Sequence, residues 1–368
     1  MPSIYAQSGV DYQRIGVFKD MMRAVTELTL RLPARRHVTV IPTDHAPLFQ
    51  YYGGYEVYYS TLIEGLGNKN WIAEWMYEKT GDADYFAGIG IDTALMAVND
   101  LITTGAMPFL YVDEVAAGDS EWFADQKRSC AIAGSFYRIC RQLGMALGGG
   151  ESPALCYLIK TTPPVKSAPS FSGAVTGLVR QEQRIDSRRL YTGDRILGVA
   201  SSGIHANGIT LLIERALTLP DQFMTQLPNG NTLGAEALIP TRSYVELVEA
   251  LLKAGVEVHK LLPATGEGLA KLLRDKREYT YHIHSWMEWS PIFRFMREMF
   301  PDITLKDCLE TWNCGVGYYV FVPPREVART INIGKQAGYT IKDIGIVKEG
   351  AGERKVFFEP TTLTLLPR

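Results

Sequence analysis

The sequence predicts an α+β protein of two domains, each a mixed β-sheet covered by helices. Three observations carry that reading. At 368 residues the chain exceeds what one hydrophobic core usually organises, since domains typically run to ~100–200 residues. Hydrophobic content of 46% and charged content of 21% are those of an ordinary globular chain with a sizeable core. Both halves also share one local grammar: an apolar strand, a glycine-bearing loop, then an amphipathic helix. A polar stretch around Gln181–Arg189 separates them, so the expected domains are residues 1–182 and 183–368.

In the first half a helix is expected after a short polar start, with Ile15, Phe18, Met22, Val25 and Leu28 on one face. Residues 31–60 resist assignment. They hold a basic pair, Arg35 and Arg36, and two histidines, His37 and His45, which read as loop or surface because no acid or cysteine pairs with them. LIEGLGNK follows. Gly65 and Gly67 let the backbone turn with its N–H groups converging, and Lys69 supplies a point charge suited to phosphate. A helix starting near Asn70 aims its positive end at the same spot, although an ordinary glycine turn before a helix reads the same way.

Residues 88–118 form the centre of this half. Ile91, Leu95, Val98 and Ile102 make one apolar helical stripe, with Asp92 and Asn99 on a polar line beside it and Asp100 one step around. The plainer alternative is a capping Asp92 and a solvated Asp100. Gly105 and Pro108 end the helix, and FLYVDEVA reads as a buried strand. A long amphipathic helix is expected over residues 121–143. MALGGGES then reads as a strand whose glycines let a ligand approach, with Glu151 at the rim, or as a tight turn with an exposed glutamate. Residues 159–171 are a loop rich in Pro, Ser and Lys, and SGAVTGLVR is a strand.

In the second half Ile196–Ala200 is a buried strand, and the loop SSGIHANG precedes a helix from about Gly208. Ser202, His205 and Asn207 there make an anion cradle, or Asn207 simply caps the helix. A helix over Tyr244–Ala254 and a glycine-punctuated helix start at ATGEGLAKLL follow. His282 and His284 stand two apart in a strand, a spacing that admits a metal but seldom signals one. TWNCGVGYYVFV joins a glycine turn to a strand. A helix closed by Gly338 and the strands YTIKDIGIVK and KVFFEP complete the chain.

The net charge of −2 gives no electrostatic reason to bind nucleic acid or a membrane surface. Five dispersed cysteines without CxxC spacing argue against a disulfide framework and a structural zinc site. No basic-then-apolar leader and no apolar run near ~20 residues is present, so a soluble cytoplasmic protein is expected.

Taken in order, these motifs resemble the aminoimidazole ribonucleotide synthetase (phosphoribosylformylglycinamidine cyclo-ligase) family, from about Tyr5 to about Lys355. The matches are SGVD at Ser8–Asp11, EGLGNK for the family's DGVGTK, and GID…AVNDL…GAMP. GGGES stands for GGET, SSGIHANG for SSGxHSNG, IPTR for (A/T)PTR, and NCGVG spans Asn313–Gly317. The resemblance implies an enzyme that uses ATP and Mg²⁺ to activate the formyl oxygen of formylglycinamidine ribonucleotide, whereupon an internal nitrogen closes the imidazole ring. It implies a homodimer with the ATP cleft between the domains and near the dimer interface. It further implies that Glu64, Gly65, Gly67, Asn68, Lys69, Asn99, Asp100 and Glu151 contact ATP, with Glu64, Asp92 and Glu151 on the metal. Ser202, His205, Asn207, Gly208, Asn313 and Gly315 are then expected at a phosphoribosyl amidine substrate, and Lys69, Asp92 and His205 in catalysis.

The departures are specific. Glu64 replaces Asp, Asn68 replaces Thr, TGEG replaces TGGG, and Ser152-Pro153-Ala154-Leu155 replaces the family's acid and Met-Pro. Residues 31–54 stand where the family has a glycine-rich segment. A diverged member acting on another amide-type or small substrate, or a non-catalytic nucleotide-binding homologue, is the alternative reading. Among sister families, selenophosphate synthetases carry a Cys or selenocysteine near the N-terminus, and no cysteine here precedes Cys130. The hydrogenase-maturation member carries a C-terminal cysteine where this chain ends LLPR. Thiamine-phosphate kinases share a loop like Leu62–Gly65 but match SSGIHANG and NCGVG less closely.

Overall fold

The computed structural model describes residues 12–41 and 48–367; the Ser8–Asp11 motif and His45 lie outside them. The chain folds as two compact units, one of residues Met1–Leu101 with Ala106–Gln181, the other of Ile102–Gly105 with Glu182–Arg368.

The first unit runs α1 (Tyr12–Thr29), β1 (Val38–Ile41), β2 (Leu48–Tyr51), β3 (Val57–Gly65), α2 (Lys69–Thr80), α3 (Ile89–Leu101), β4 (Met107–Ala116), α4 (Gln126–Leu143), β5 (Ala146–Glu151) and β6 (Ser170–Arg180). A four-stranded sheet has the order β3-β6-β4-β5. Its pairs are antiparallel except β4 and β5, which the crossover helix α4 makes parallel. α3 packs on β3, β6 and α4, and α1 packs on α4 and β5. A Cβ on Gly90 would fall 2.8 Å from Phe136, so glycine marks the place where α3 and α4 approach most closely. Among the described residues, helices cover one face of the sheet only. On the other, Tyr59, Thr61 and Ile63 of β3 stand exposed. Ala83–Thr104, which includes α3, is apolar and long enough to cross a membrane, yet 78% of its apolar stretch is buried inside the unit.

Three expectations change here. Leu28 is 63% exposed, so the buried stripe of α1 ends at Val25. The helix expected over 121–143 begins instead at Gln126, because the Asp125 side chain accepts the Arg128 N–H at 3.1 Å and caps it. Residues 31–41 belong to the core: Arg36 donates to the Pro108 carbonyl at 2.8 Å, and Val38 and Val40 cluster with Phe109, Leu110, Ala146 and Leu178.

The second unit contains β7 (Arg195–Ala200), α5 (Ile209–Ala216), α6 (Leu233–Ala237), α7 (Val245–Lys253), β8 (Lys260–Pro263), β9 (Tyr279–Ile283), α8 (Pro291–Met299), α9 (Leu305–Thr311), β10 (Val316–Val322), α10 (Val327–Gln336), β11 (Ile341–Glu349), β12 (Lys355–Phe358) and β13 (Leu363–Leu365). They build a seven-stranded sheet in the order β13-β12-β9-β11-β7-β10-β8. Every residue of β10 is buried, which explains its unbroken apolar sequence. The ATGEGLAKLL stretch forms a 3₁₀ turn over Gly268–Arg274 rather than an α-helix. His284 lies past the end of β9 beside Arg195, and His282 pairs with Glu359 at 2.8 Å, so the two histidines form no metal pair.

Candidate active site

In the first unit Leu66 is anchored by its N–H to the Phe171 carbonyl at 2.9 Å, and Gly67 turns the chain at φ +74° into α2. Lys69 opens that helix pointing inward. Its Nζ lies 2.9 Å from Asp92 in the first turn of α3, and both side chains are 0% exposed. Burial lowers the Lys69 pKa, and the Asp92 carboxylate opposes that shift. This pair ties α2 to α3, and neither group is presented to solvent. Neighbouring polar groups are also committed, since Asn70 donates to the Pro169 carbonyl at 2.5 Å and Trp71 to that of Thr162 at 3.0 Å. Asn99 is buried and Asp100 half-buried further along α3.

Glu151 ends β5, accepts the Ser152 N–H at 2.8 Å and lies 3.4 Å from Lys19. Glu64 sits near the end of β3 in register with Gly173. Among the described residues no group of three His, Cys, Asp or Glu side chains gathers closely enough to hold a metal. Glu64, Asp92 and Glu151 therefore do not make a protein-built magnesium cage: Asp92 is occupied by Lys69 and Glu151 faces Lys19. A buried carboxyl that sequence reading passed over, Asp113, stands opposite Gly150 across β4 and β5. A Cβ on Gly150 would fall 2.3 Å from its Oδ1, which has no hydrogen-bond partner. Burial foremost, with Glu151 nearby, raises its pKa to about 7. The alternation of FLYVDEVA, which puts Asp113 on the same face as buried Tyr111 and Val115, was the available signal.

The second unit brings its expected residues together. Ser202 donates from Oγ to the Pro240 carbonyl at 2.6 Å, and its N–H reaches His205 Nε2 at 3.2 Å. His205 is buried at φ +62°, so its ring closes the loop locally. Asn313 uses its whole amide: Nδ2 donates to the Gly203 and Ile204 carbonyls at 2.8 and 3.1 Å, and Oδ1 accepts the Gly315 N–H at 2.9 Å. The Gly315 carbonyl accepts the Ser201 N–H at 3.0 Å, locking the two loops together. Gly208 adopts φ +73°, and a Cβ there would lie 2.3 Å from the Trp312 ring, whose Nε1 donates to the Gly208 carbonyl at 3.1 Å. Asn207 Nδ2 is enclosed and has no partner. The geometry gives Asn313, Gly208 and His205 the work of shaping the loop.

Residues 73–179 match the AIR synthase related protein N-terminal domain and residues 192–357 the corresponding C-terminal domain. The Glu64–Lys69 loop precedes the first of these matches. A phosphoribosylformylglycinamidine cyclo-ligase from Synechocystis sp. is 30% identical over 359 residues, covering 95% of this chain and 98% of that one. The cyclo-ligase from Rippkaea orientalis is 31% identical over 359 residues, covering 95% and 97%. The fold is similar to that of thiamine-monophosphate kinase from Stenotrophomonas maltophilia K279a (TM-score 0.61, 19% identity, 91% of this chain and 94% of that chain). It is also similar to hydrogenase maturation protein HypE in complex with ATP (TM-score 0.59, 18% identity, 88% and 87%). With both domains matched and relatives aligned along nearly their whole length, this chain belongs to the AIR synthase, or phosphoribosylformylglycinamidine cyclo-ligase, family.

Proposed function

We propose that this chain is an ATP-dependent cyclo-ligase that converts formylglycinamidine ribonucleotide to aminoimidazole ribonucleotide in purine biosynthesis. One observation carries the reading: a cyclo-ligase aligns over 95% of the chain and 98% of its own length. In this reading the formyl amide oxygen attacks the γ-phosphorus of ATP, and the bond to ADP breaks. The amidine nitrogen then adds to the activated carbon, a proton is lost, and phosphate leaves as the ring closes. Phosphorylation turns a poor leaving group into a good one, so the protein's task is positioning and charge stabilisation.

The first unit is proposed to hold ATP at the Gly65–Asn68 turn, Asn99 and Asp100 of α3, and Glu151. Lys69 and Asp92 position that turn through their buried pair. Magnesium is proposed to arrive on the triphosphate, which needs at most one or two protein carboxylates and no preformed cage. The second unit is proposed to hold the phosphoribosyl amidine at Ser202, Asn207 and the Asn313–Gly315 turn, with His205 as the loop's internal brace. Homodimerisation is assigned to the face of the first sheet away from the helices, where Tyr59, packed on Phe49, and Ile63 are 48% and 67% exposed. The five cysteines are all free thiols, which suits a reducing cytoplasm. The test is aminoimidazole ribonucleotide formation with stoichiometric ADP release from formylglycinamidine ribonucleotide and ATP. Nucleotide binding without ring closure would favour the altered-substrate reading that Glu64 and Asn68 suggest.

A further inference from the structure

We infer that a cavity of about 210 Å³ in the second unit binds a phosphate-sized oxyanion, which takes the place of the Glu267 carboxylate. Its lining shares no residue with the loops assigned above to ATP and ribonucleotide, so the inference goes beyond the cyclo-ligase reading. The volume falls below the ~300–1,000 Å³ usual for organic ligands, which suits a small anion and not a nucleotide. The walls are the 3₁₀ turn Gly268–Arg274, the residue entering β12 and the chain leaving β13, where Leu366 makes an apolar side.

Three cations line the cavity, Arg274, Lys276 and Arg354, against the one carboxylate of Glu267. The run Arg274-Asp275-Lys276-Arg277 sorts its charges. Asp275 turns to Lys260 and Arg277 at 2.9 and 2.6 Å, so Arg274 and Lys276 reach the cavity without it. The Lys276 ammonium is exposed and has no partner among the described residues. Arg354 is fixed through Nη1, which donates to the Leu273 and Asp275 carbonyls at 3.2 and 3.3 Å. Its Nε and Nη2 stay uncommitted among the described residues, so the guanidinium is oriented before an anion arrives. Glu353, next to it, is held by Lys355 at 3.1 Å. Glu267 is the protein's own oxyanion at this place, meeting Arg274 at 2.7 Å. Its backbone delivers it at φ +76°, a left-handed conformation that costs a glutamate and not a glycine. The Arg274 and Glu267 side chains are 59% and 41% exposed, so their pair is weak and a phosphate dianion outcompetes it.

The probe is inorganic phosphate, titrated by calorimetry into the full chain at constant ionic strength, with nitrate as the monovalent control. A parallel titration contains a saturating non-hydrolysable ATP analogue. The expected result is phosphate binding at least tenfold tighter than nitrate and unchanged by the analogue. Combining Arg274→Ala with Lys276→Ala should weaken phosphate about tenfold or more. Glu267→Gln should tighten it a few-fold, because the amide keeps the side chain's shape and loses the competing charge. A pair that served stability alone would give no such gain. Phosphate bound no tighter than nitrate, phosphate expelled by the ATP analogue, or an affinity unmoved in the double variant would overturn the site.

Discussion

Lys69 and Asp92 meet entirely out of water, an arrangement whose stability depends on both partners being present. Removing one leaves an uncompensated buried charge. Lys69→Ala should therefore cost about 3–5 kcal/mol of stability as well as activity, and the isosteric pair Lys69→Met with Asp92→Leu should recover much of the stability but not the turnover. Urea unfolding of the three variants checks this; a stable, inactive Lys69→Ala would return the lysine to direct phosphate contact. Glu267 shows strain of another kind. It adopts φ +76° where the related motif has glycine, and its side chain pairs with Arg274 at 2.7 Å. Glu267→Gly should stabilise the second unit by about 0.5–1 kcal/mol, read as a higher melting temperature.

At the scale of elements, glycine determines which pieces can touch. The helix α5 begins at a loop pressed on Trp312, and a Cβ on Gly208 would collide with that ring. Gly208→Ala should cost about 1–3 kcal/mol and raise KM for the ribonucleotide more than KM for ATP, because the loop proposed to hold the substrate is displaced while the first unit is untouched. Equal effects on both constants would remove Gly208 from the substrate side. The element pattern was largely legible from periodicity: α3, β4, β7, β10 and α10 lie close to where alternation and apolar stripes put them. α8 and α9 were not anticipated, since PIFRFMREM and LKDCLET are short and each leans on a cap, Pro291 at the first position and the Thr304–Asp307 capping box. Residues 31–41 were illegible because Val38 and Val40 gain their meaning only from Phe109 and Leu178, distant partners in sequence.

Across the whole molecule, pH and assembly are the accessible tests. Burial raises Asp113 and Glu74 from the usual carboxylate range to about 7, Glu74 in spite of its 3.0 Å contact with Arg128. The folded state then holds protons that the unfolded chain has released, so these two groups make stability fall as pH rises from about 4 to about 7. Asp113→Asn combined with Glu74→Gln should flatten that decline in melting temperature; an unchanged slope would show both carboxyls ionised in the fold. Ile63→Glu, on the sheet face away from the helices, should convert the expected dimer to a monomer in sedimentation velocity, and a monomeric parent protein would refute that interface.

Sequence alone determined the α+β class and the family, because turn glycines, apolar periodicity and ordered motifs are local properties of the chain. Only tertiary structure decided what each side chain does there. It enclosed Lys69 with Asp92, spent the Asn313 amide on two carbonyls and an N–H, and hid Asp113 behind Gly150. Desolvation and hydrogen-bond satisfaction depend on neighbours far away in sequence, and those neighbours exist only once the chain has folded.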